Sequence, residues 1–416
     1  MSTDKTILVI GTYDTKQDEL QFIATCIRDA GGQVLSMDVS VLGDTSMPFD
    51  CSKHDIAAAA GTDIQSVINS GDENSAMQLM AKGASAVAVE LYLKRQFDGV
   101  LVLGGSMGTD LALDVCAVLP LGVPKYIVST VAFSSMIPAQ RLAADTQMIL
   151  WAGGLYGLNA ICKASLSQAA GAVLGAARVV QLPAQEKPII GMTSLGKSAL
   201  TYMVPLKPAL EARGFEVAIF HATGMGGRAF ESLASQGMFA CVFDFCIQEL
   251  GNEVHGSTIT AGSSRLTAAG LAGIPQIVAP GCSDLVDLVG SQPVPERWQH
   301  HLTHVHNRLI TSVVLDDDER CVVADAIAEQ LAKATAEAVF LLPLAGCGEW
   351  DREGADLHNA EGYAAFCDQV RKRCPDNVTL EEVDAHINDD LFATRALAVF
   401  DRWCERGVVP IVAQSS

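Results

Sequence analysis

Short apolar runs rich in Val, Ile and Leu recur along this chain, and most lead into a Gly- or hydroxyl-bearing turn and then a stretch of helical period. That alternation marks βαβ units, whose strands pair in parallel only when each crossover helix covers the sheet. It predicts an α/β fold of two Rossmann-like domains, each a mainly parallel sheet flanked by helices. At 416 residues the chain exceeds the usual size of one core. A break falls at Gln181-Leu-Pro-Ala-Gln-Glu-Lys-Pro188, which has two prolines, polar residues and no periodicity. The expected domains are therefore residues 1–182 and 188–416.

In the first half the strand runs are Thr6–Ile10, Gln33–Val39, Gly99–Leu103 and Pro124–Ser129. Helical patterns cover Lys16–Ala30, His54–Ala60, Ser75–Gln96, a segment containing Leu111–Leu119, and Ala160–Ala177. The second half echoes this order, with strands at Ile189–Thr193, Phe215–Phe220, Met238–Phe245, Pro275–Ala279, Ile310–Leu315, Glu337–Leu342 and Val378–Val383. Helices are expected at Asp317–Thr335 and Ala360–Cys374.

Composition excludes some functions. A formal charge of −20 repels phosphate backbones, and 6% aromatics offer few stacking platforms, so nucleic acid is not an expected partner. A single nucleotide stays open, because a nest of backbone amides binds phosphate even on an acidic surface. The apolar stretches carry Ser, Gln and Gly, and no membrane span is expected. The twelve cysteines include no Cys-x-x-Cys pair, and the first residues show no signal-peptide pattern. A cytoplasmic protein with reduced thiols is the expectation.

In open parallel sheets ligands bind beyond the carboxyl ends of the strands, so the turns leaving strands carry the chemistry. Gly11-Thr-Tyr-Asp-Thr-Lys16 brings a glycine, hydroxyls, a carboxylate and a cation to a helix N-terminus, although Asp14 also suits a plain N-cap. Gly104-Gly-Ser-Met-Gly-Thr109 lets backbone approach a ligand closely, without the spacing of a P-loop or dinucleotide fingerprint. His221-Ala-Thr-Gly-Met-Gly-Gly-Arg228 is the matching turn of the second half. There His221 is either a general acid–base or a turn-orienting histidine, and Arg228 is an anion partner. Ala261-Gly-Ser-Ser-Arg-Leu266 and Ala279-Pro-Gly-Cys-Ser-Asp284 have the same character, with Cys282 reading as structural for want of a base. Asp244 and Glu249 flank a strand exit. Asp384, His386 and Asn388 share one face if their strand continues. In His300-His-Leu-Thr-His-Val-His306, His300 and His304 would share a helix face as zinc ligands do, but a solvated or interface helix is the favoured reading.

Taken together and in this order, these blocks resemble the Tm-one-like ATP-binding family. Further matching blocks are Asp38-Val-Ser40, Thr130-Val-Ala132, Gly273 to Asp284 and His386-Ile-Asn-Asp389. The resemblance implies ATP with Mg2+ in the N-terminal domain and a homodimer or higher homo-oligomer. On it, Gly11, Thr12, Asp14, Lys16, Gly104, Gly105, Ser106, Gly108 and Thr109 become phosphate and ribose contacts, with Asp38 placed to accept from ribose hydroxyls. The chain departs from the pattern at Cys246-Ile-Gln248, Val313-Val-Leu-Asp-Asp-Asp318 and Ala345, which implies a different C-terminal ligand.

The leading expectation is an ATP-binding enzyme acting on a small anionic metabolite in an inter-domain cleft. Thr223, Gly224, Gly226, Gly227, Arg228, Ser263, Arg265, Gly281, Cys282 and Asp284 are the substrate contacts, with Arg228 and Arg265 as anion clamps. A nucleotide-independent hydrolase or lyase of a sugar or keto acid is the alternative, with His221, Asp244, Glu249 and His386 catalytic. A regulatory or protein-binding module without turnover is the third. No metal ligand set is assigned.

Overall fold

A computed structural model describes residues 4–45, 47–182 and 186–410. The chain divides between residues 184 and 185 into two compact units. Of the proposed linker 181–188, residues 183–185 lie outside the described residues.

The first unit runs β1 (Thr6–Gly11), α1 (Tyr13–Asp29), β2 (Gln33–Asp38), α2 (Lys53–Ala59), α3 (Ile64–Ile68), α4 (Glu73–Leu93), β3 (Gly99–Gly104), α5 (Ser106–Val118), β4 (Lys125–Ser129), β5 (Thr146–Leu150) and α6 (Ala160–Val179). Its sheet is parallel throughout, in the order β2-β1-β3-β4-β5. Side chains alternate across β1. Leu8 and Ile10 pack with α2, α4 and α5 on one face, and Ile7 and Val9 with α1 and α6 on the other. Central β3 is buried along its whole length, which is why it reads as an unbroken apolar run. Edge strand β5 was not expected, because half-exposed Thr146-Gln-Met-Ile-Leu150 lacks that signal. Helix α6 is long and apolar enough to span a membrane by composition alone, but it buries Cys162, Leu166, Ala169, Ala170, Val173, Leu174 and Ala177 in this core.

The second unit runs β6 (Ile189–Ser194), α7 (Met203–Ala212), β7 (Glu216–His221), α8 (Met225–Ser235), β8 (Cys241–Cys246), α9 (Gln248–Val254), α10 (Ala268–Leu271), β9 (Gln276–Gly281), β10 (Leu285–Val289), β11 (Thr303–Val305), β12 (Ile310–Val314), α11 (Asp317–Leu331), β13 (Ala338–Pro343), α12 (Ala360–Arg373), β14 (Val378–Val383) and α13 (Asp390–Glu405). The main sheet is parallel, in the order β14-β13-β9-β8-β6-β7. Phe243, Phe245, Phe392, Phe400 and Trp403 fill one face with α7 and α13. The other face packs on α9, α11 and α12.

A small antiparallel sheet, β10-β12-β11, corrects the helix expected at His300–His306. His304 lies on β11 and its ring packs 4.3 Å from Trp350, with His306 against the same indole at 5.7 Å. His301 instead meets Glu319 at 3.0 Å. His300 and His304 therefore do not share a helix face.

Candidate functional site

In the first unit the chain leaves β1 toward β2 on one side and reaches β3 on the other. The β1/β3 boundary is thus the topological switch point where ligands bind in such sheets. A cavity of about 940 Å³ opens there, lined by the turns after β1, β3, β4 and β5 and by the start of α4. One wall is polar, with Thr12, Asp14, Thr15, Lys16, Gly104, Gly105, Ser106, Gly108 and Thr130. Val41, Leu42, Ile68, Met77, Leu155 and Tyr156 make an apolar wall, interrupted by Asn69, Asp72 and Glu73.

Helix α5 begins at this cavity with Gly105 as its N-cap and no side-chain cap. Its first main-chain bond runs from the Thr109 amide to the Gly105 carbonyl at 2.8 Å. The amides of Ser106, Met107 and Gly108 are therefore outside the helix's own ladder, at the positive end of its dipole. Gly104 is required here, since a Cβ on it would come 2.5 Å from Gly108 Cα. Lys16 breaks helical geometry in α1, and its ammonium donates to Thr12 Oγ1 at 3.3 Å and Thr15 Oγ1 at 3.0 Å. Asp14 accepts from the Gly43 amide at 3.1 Å through Oδ2, while Oδ1 is buried with no partner among the described residues.

Seven of the ten expected nucleotide contacts line this cavity: Thr12, Asp14, Lys16, Gly104, Gly105, Ser106 and Gly108. Three are corrected. Asp38 is buried, and its Oδ1 accepts from the amides of Tyr13 at 3.3 Å and Ser40 at 3.0 Å. It thus binds the start of α1 to the end of β2 and does not line the cavity. Thr109 lies beneath the turn, its hydroxyl bonded to the Gly105 carbonyl and to Ser129 Oγ, each at 2.7 Å. Gly11 faces Leu20, whose Cδ1 would lie 2.7 Å from a Cβ there, so its role is packing. Sequence reasoning missed the walls from residues 68–77 and 152–156. The second carries a legible signal in Gly153-Gly-Leu-Tyr156, which becomes a strand-end turn once β5 is recognised. The Gly157 amide bonds Glu19 Oε1 at 2.8 Å, which anchors this loop to α1.

The second unit repeats the switch point, and there the turn is closed from within. Glu249 Oε1 accepts from the amides of Gly224 at 2.5 Å and Gly227 at 3.0 Å. Gly226 and Gly227 are packing glycines rather than ligand contacts. A Cβ on the first would lie 1.8 Å from the His221 carbonyl, and on the second 1.7 Å from Glu249 Oε2. Gly224 needs its φ of +88° to enter α8.

Arg265, expected to clamp an anion, is fully buried with its five N–H groups directed at the protein's own acceptors. Nε meets Glu249 at 2.8 Å, Nη1 meets Glu231 at 3.0 Å and Asp244 at 2.5 Å, and Nη2 meets Asp244 at 2.6 Å and the Cys246 carbonyl at 3.0 Å. No donor remains for a substrate. Asp244 and Glu249 are thereby corrected from catalysts to partners of Arg265. Burial pushes the carboxyls of Glu231 and Glu249 upward, opposed by the Arg265 charge.

His386 is also corrected from a catalyst. Strand β14 stops at Val383, so Asp384, His386 and Asn388 lie in a loop rather than on one strand face. The His386 imidazole is buried; Nε2 bonds the Gly348 carbonyl at 2.9 Å, and Nδ1 accepts from the Asn388 amide and Arg352 Nη2, each at 3.1 Å. Burial holds its pKa low, which matches a neutral ring accepting at Nδ1. Gly281 crosses β8 so closely that a Cβ would lie 2.1 Å from the Phe245 carbonyl. Cys282 is buried with its thiol raised, first by hydrogen bonding to Cys246 and then by burial, so neither residue meets solvent as a substrate contact. Asp284 is likewise buried.

His221 remains exposed, with Nδ1 accepting from the Gly196 amide at 3.4 Å, and Thr223 and Ser263 keep partial or full exposure. Arg228 bonds the Ala261 carbonyl at 3.0 Å and lines a cavity of about 460 Å³ with Glu231, Ser232, Ser264 and Thr267.

Comparison with known proteins fits this two-part organisation. The family model described as Uncharacterised protein family (UPF0261) N-terminal domain matches residues 5–182, and that of the C-terminal domain matches residues 187–404. A UPF0261 protein of Brucella melitensis is 56% identical over 403 residues, covering 97% of this chain and 96% of that relative. One from Clostridium tetani is 34% identical over 393 residues, covering 94% and 96%. The ToMV resistance protein Tm-1(GCR237) of Solanum lycopersicum is 28% identical over 422 residues, which cover 96% of this chain and 56% of that protein. Among solved structures, the Streptomyces sp. SF2575 glycosyltransferase SsfS6 shares 18% identity at a TM-score of 0.22, covering 66% of this chain and 82% of that one. A UDP-N-acetylglucosamine 2-epimerase shares 12% at 0.22, covering both chains fully. Scores this low carry no argument about activity. Two domain models in register with the two units, and relatives aligned end to end, establish that the chain belongs to the UPF0261 family.

Proposed function

We propose that the N-terminal domain binds a nucleoside triphosphate, ATP with Mg2+, and that the protein uses it in acting on a small anionic metabolite. One observation carries the reading: the uncapped N-terminus of α5 opens into the large cavity at the β1/β3 switch point. The amides of Ser106, Met107 and Gly108, with the Lys16 ammonium, are the donors for the phosphates. Asp14 Oδ1, buried without a donor, suits a hydrated cation or a ribose hydroxyl. The apolar wall from Leu42 to Tyr156 suits a base, which needs area rather than charge. Arg228 and the hydroxyls around the smaller cavity are the anion contacts proposed for the C-terminal domain. A nucleotide-independent acid–base mechanism loses its support, because Asp244, Glu249 and His386 are buried and bonded to the protein itself.

Calorimetric titration and thermal unfolding with ATP and Mg2+ test the reading. A ligand at 100 times its dissociation constant stabilises the folded state by about 2.7 kcal/mol. No heat and no shift at millimolar nucleotide would overturn it.

A further inference from the structure

A second cluster, in the C-terminal domain, collects where β9 and β13 end. Asp284 follows β9, and Cys347 and Asp351 follow β13. One ligand atom from each lies within 4.8 Å of the others, and all three residues are buried. Cys347 Sγ donates to Asp284 Oδ1 at 3.2 Å. The remaining acceptors, Asp284 Oδ2 and Asp351 Oδ2, are buried without a partner among the described residues. Buried carboxylate oxygens are rarely left so, and each such atom calls for a proton, a water or a cation.

An independent feature points to the same place. Arg320, on α11, is fully buried; Nε bonds the Leu315 carbonyl at 3.0 Å, while Nη1 and Nη2 have no partner among the described residues. Its charge acts on both Cys347 and Asp351. A buried guanidinium beside two carboxyls and a thiol makes sense as part of a charge balance. Two carboxylates and a thiolate carry three negative charges, which a divalent ion and one guanidinium offset in full.

We propose that Asp284, Cys347 and Asp351 form a binding site for a divalent ion of the zinc class, with Arg320 completing its charge balance. The thiolate selects against Mg2+ and Ca2+, which take oxygen ligands, and favours Zn2+ or Co2+. Three protein ligands leave a fourth position for water or a substrate oxygen. On binding, the Cys347 thiol releases its proton to solvent, and the metal–thiolate bond takes its place.

The full-length chain, stripped with a chelator and titrated with Co2+, tests the site without any nucleotide. One equivalent should bind with a near-ultraviolet thiolate-to-cobalt charge-transfer band, which Zn2+ abolishes by displacement. Cys347→Ser should remove the band, and Asp351→Asn should weaken Co2+ binding at least tenfold. Asp351→Asn keeps shape while deleting a buried carboxyl, so it decides the matter if Cys347→Ser fails to fold. No band in the parent protein, a band retained in Cys347→Ser, or unchanged affinity in Asp351→Asn would each overturn the proposal.

Discussion

Replacing Gly105 by Asp should strengthen the fold and abolish nucleotide binding in one step. Gly105 has φ −75° and ψ −155°, an extended conformation open to any residue, and a Cβ there would meet only Thr130 Oγ1, at 3.7 Å. An aspartate at this N-cap would accept from the first-turn amides. It gains a few tenths of a kcal/mol over glycine as a cap, and roughly 0.3–1 kcal/mol from its charge at the helix dipole. The sum, about 0.5–1 kcal/mol, corresponds to a rise of roughly 1–4 °C in the unfolding midpoint of a domain this size. The same carboxylate would face a phosphate at about 4 Å, where like charges near a protein surface repel by about 4 kcal/mol. That is close to a thousandfold loss of affinity. Thermal unfolding with and without ATP and Mg2+, together with calorimetric titration, reads both effects. A midpoint several degrees lower would show that the amides of residues 106–108 are not open to a cap. A nucleotide shift as large as the parent's would show that phosphate does not sit there.

Arg265→Met should cost about 3–5 kcal/mol in urea unfolding, because it strands three buried carboxylates. Glu231 and Glu249 have pKa values raised in the folded state, so folding binds protons between the ordinary carboxylate range and those raised values. Their contribution to stability is full below the unfolded value and is lost as pH rises through the folded one. The deficit of Arg265→Met should therefore shrink as pH falls toward 5, and Glu231→Gln should flatten the pH dependence of the parent. Gly226→Ala and Gly171→Ala should move stability in opposite directions. The first drives a Cβ into the His221 carbonyl, whereas the second, inside α6 with nothing within 4 Å, should gain about 0.5–1 kcal/mol. Lys16→Met should weaken ATP binding without lowering the unfolding midpoint, since among the described residues its ammonium bonds only two threonine hydroxyls of the same turn.

Strands such as Val100–Leu103 and Val242–Phe245 were legible because burial on both faces leaves an unbroken apolar run. Thr146–Leu150 was not, because an edge strand with one wet face looks like a loop. The β10-β12-β11 sheet was hidden by its mixed composition, and its histidines mimicked a helical spacing that a strand does not realise. The cavity-lining turns of the first domain could be read because glycine and hydroxyl residues at a strand exit are a local signal. The partners of Arg265 could not. Glu231, Asp244 and Glu249 reach it from α8, β8 and α9, and nothing local distinguishes a guanidinium that serves a substrate from one that serves the chain. The walls from residues 68–77 meet the cavity only through tertiary packing.

The two sheets share the strand order at their switch points, yet the helix starts beside them differ in one respect. At α5 the first-turn amides have no side-chain cap, while at α8 Glu249 reaches in from the neighbouring helix and holds the amides of the Gly224 cap and of Gly227. The second half is thus stoppered by its own carboxylate, as a plug fits a socket. Supplying such a plug at Gly105 would close the first helix start as Glu249 closes the second, so one acidic side chain decides whether a helix start in this architecture is open.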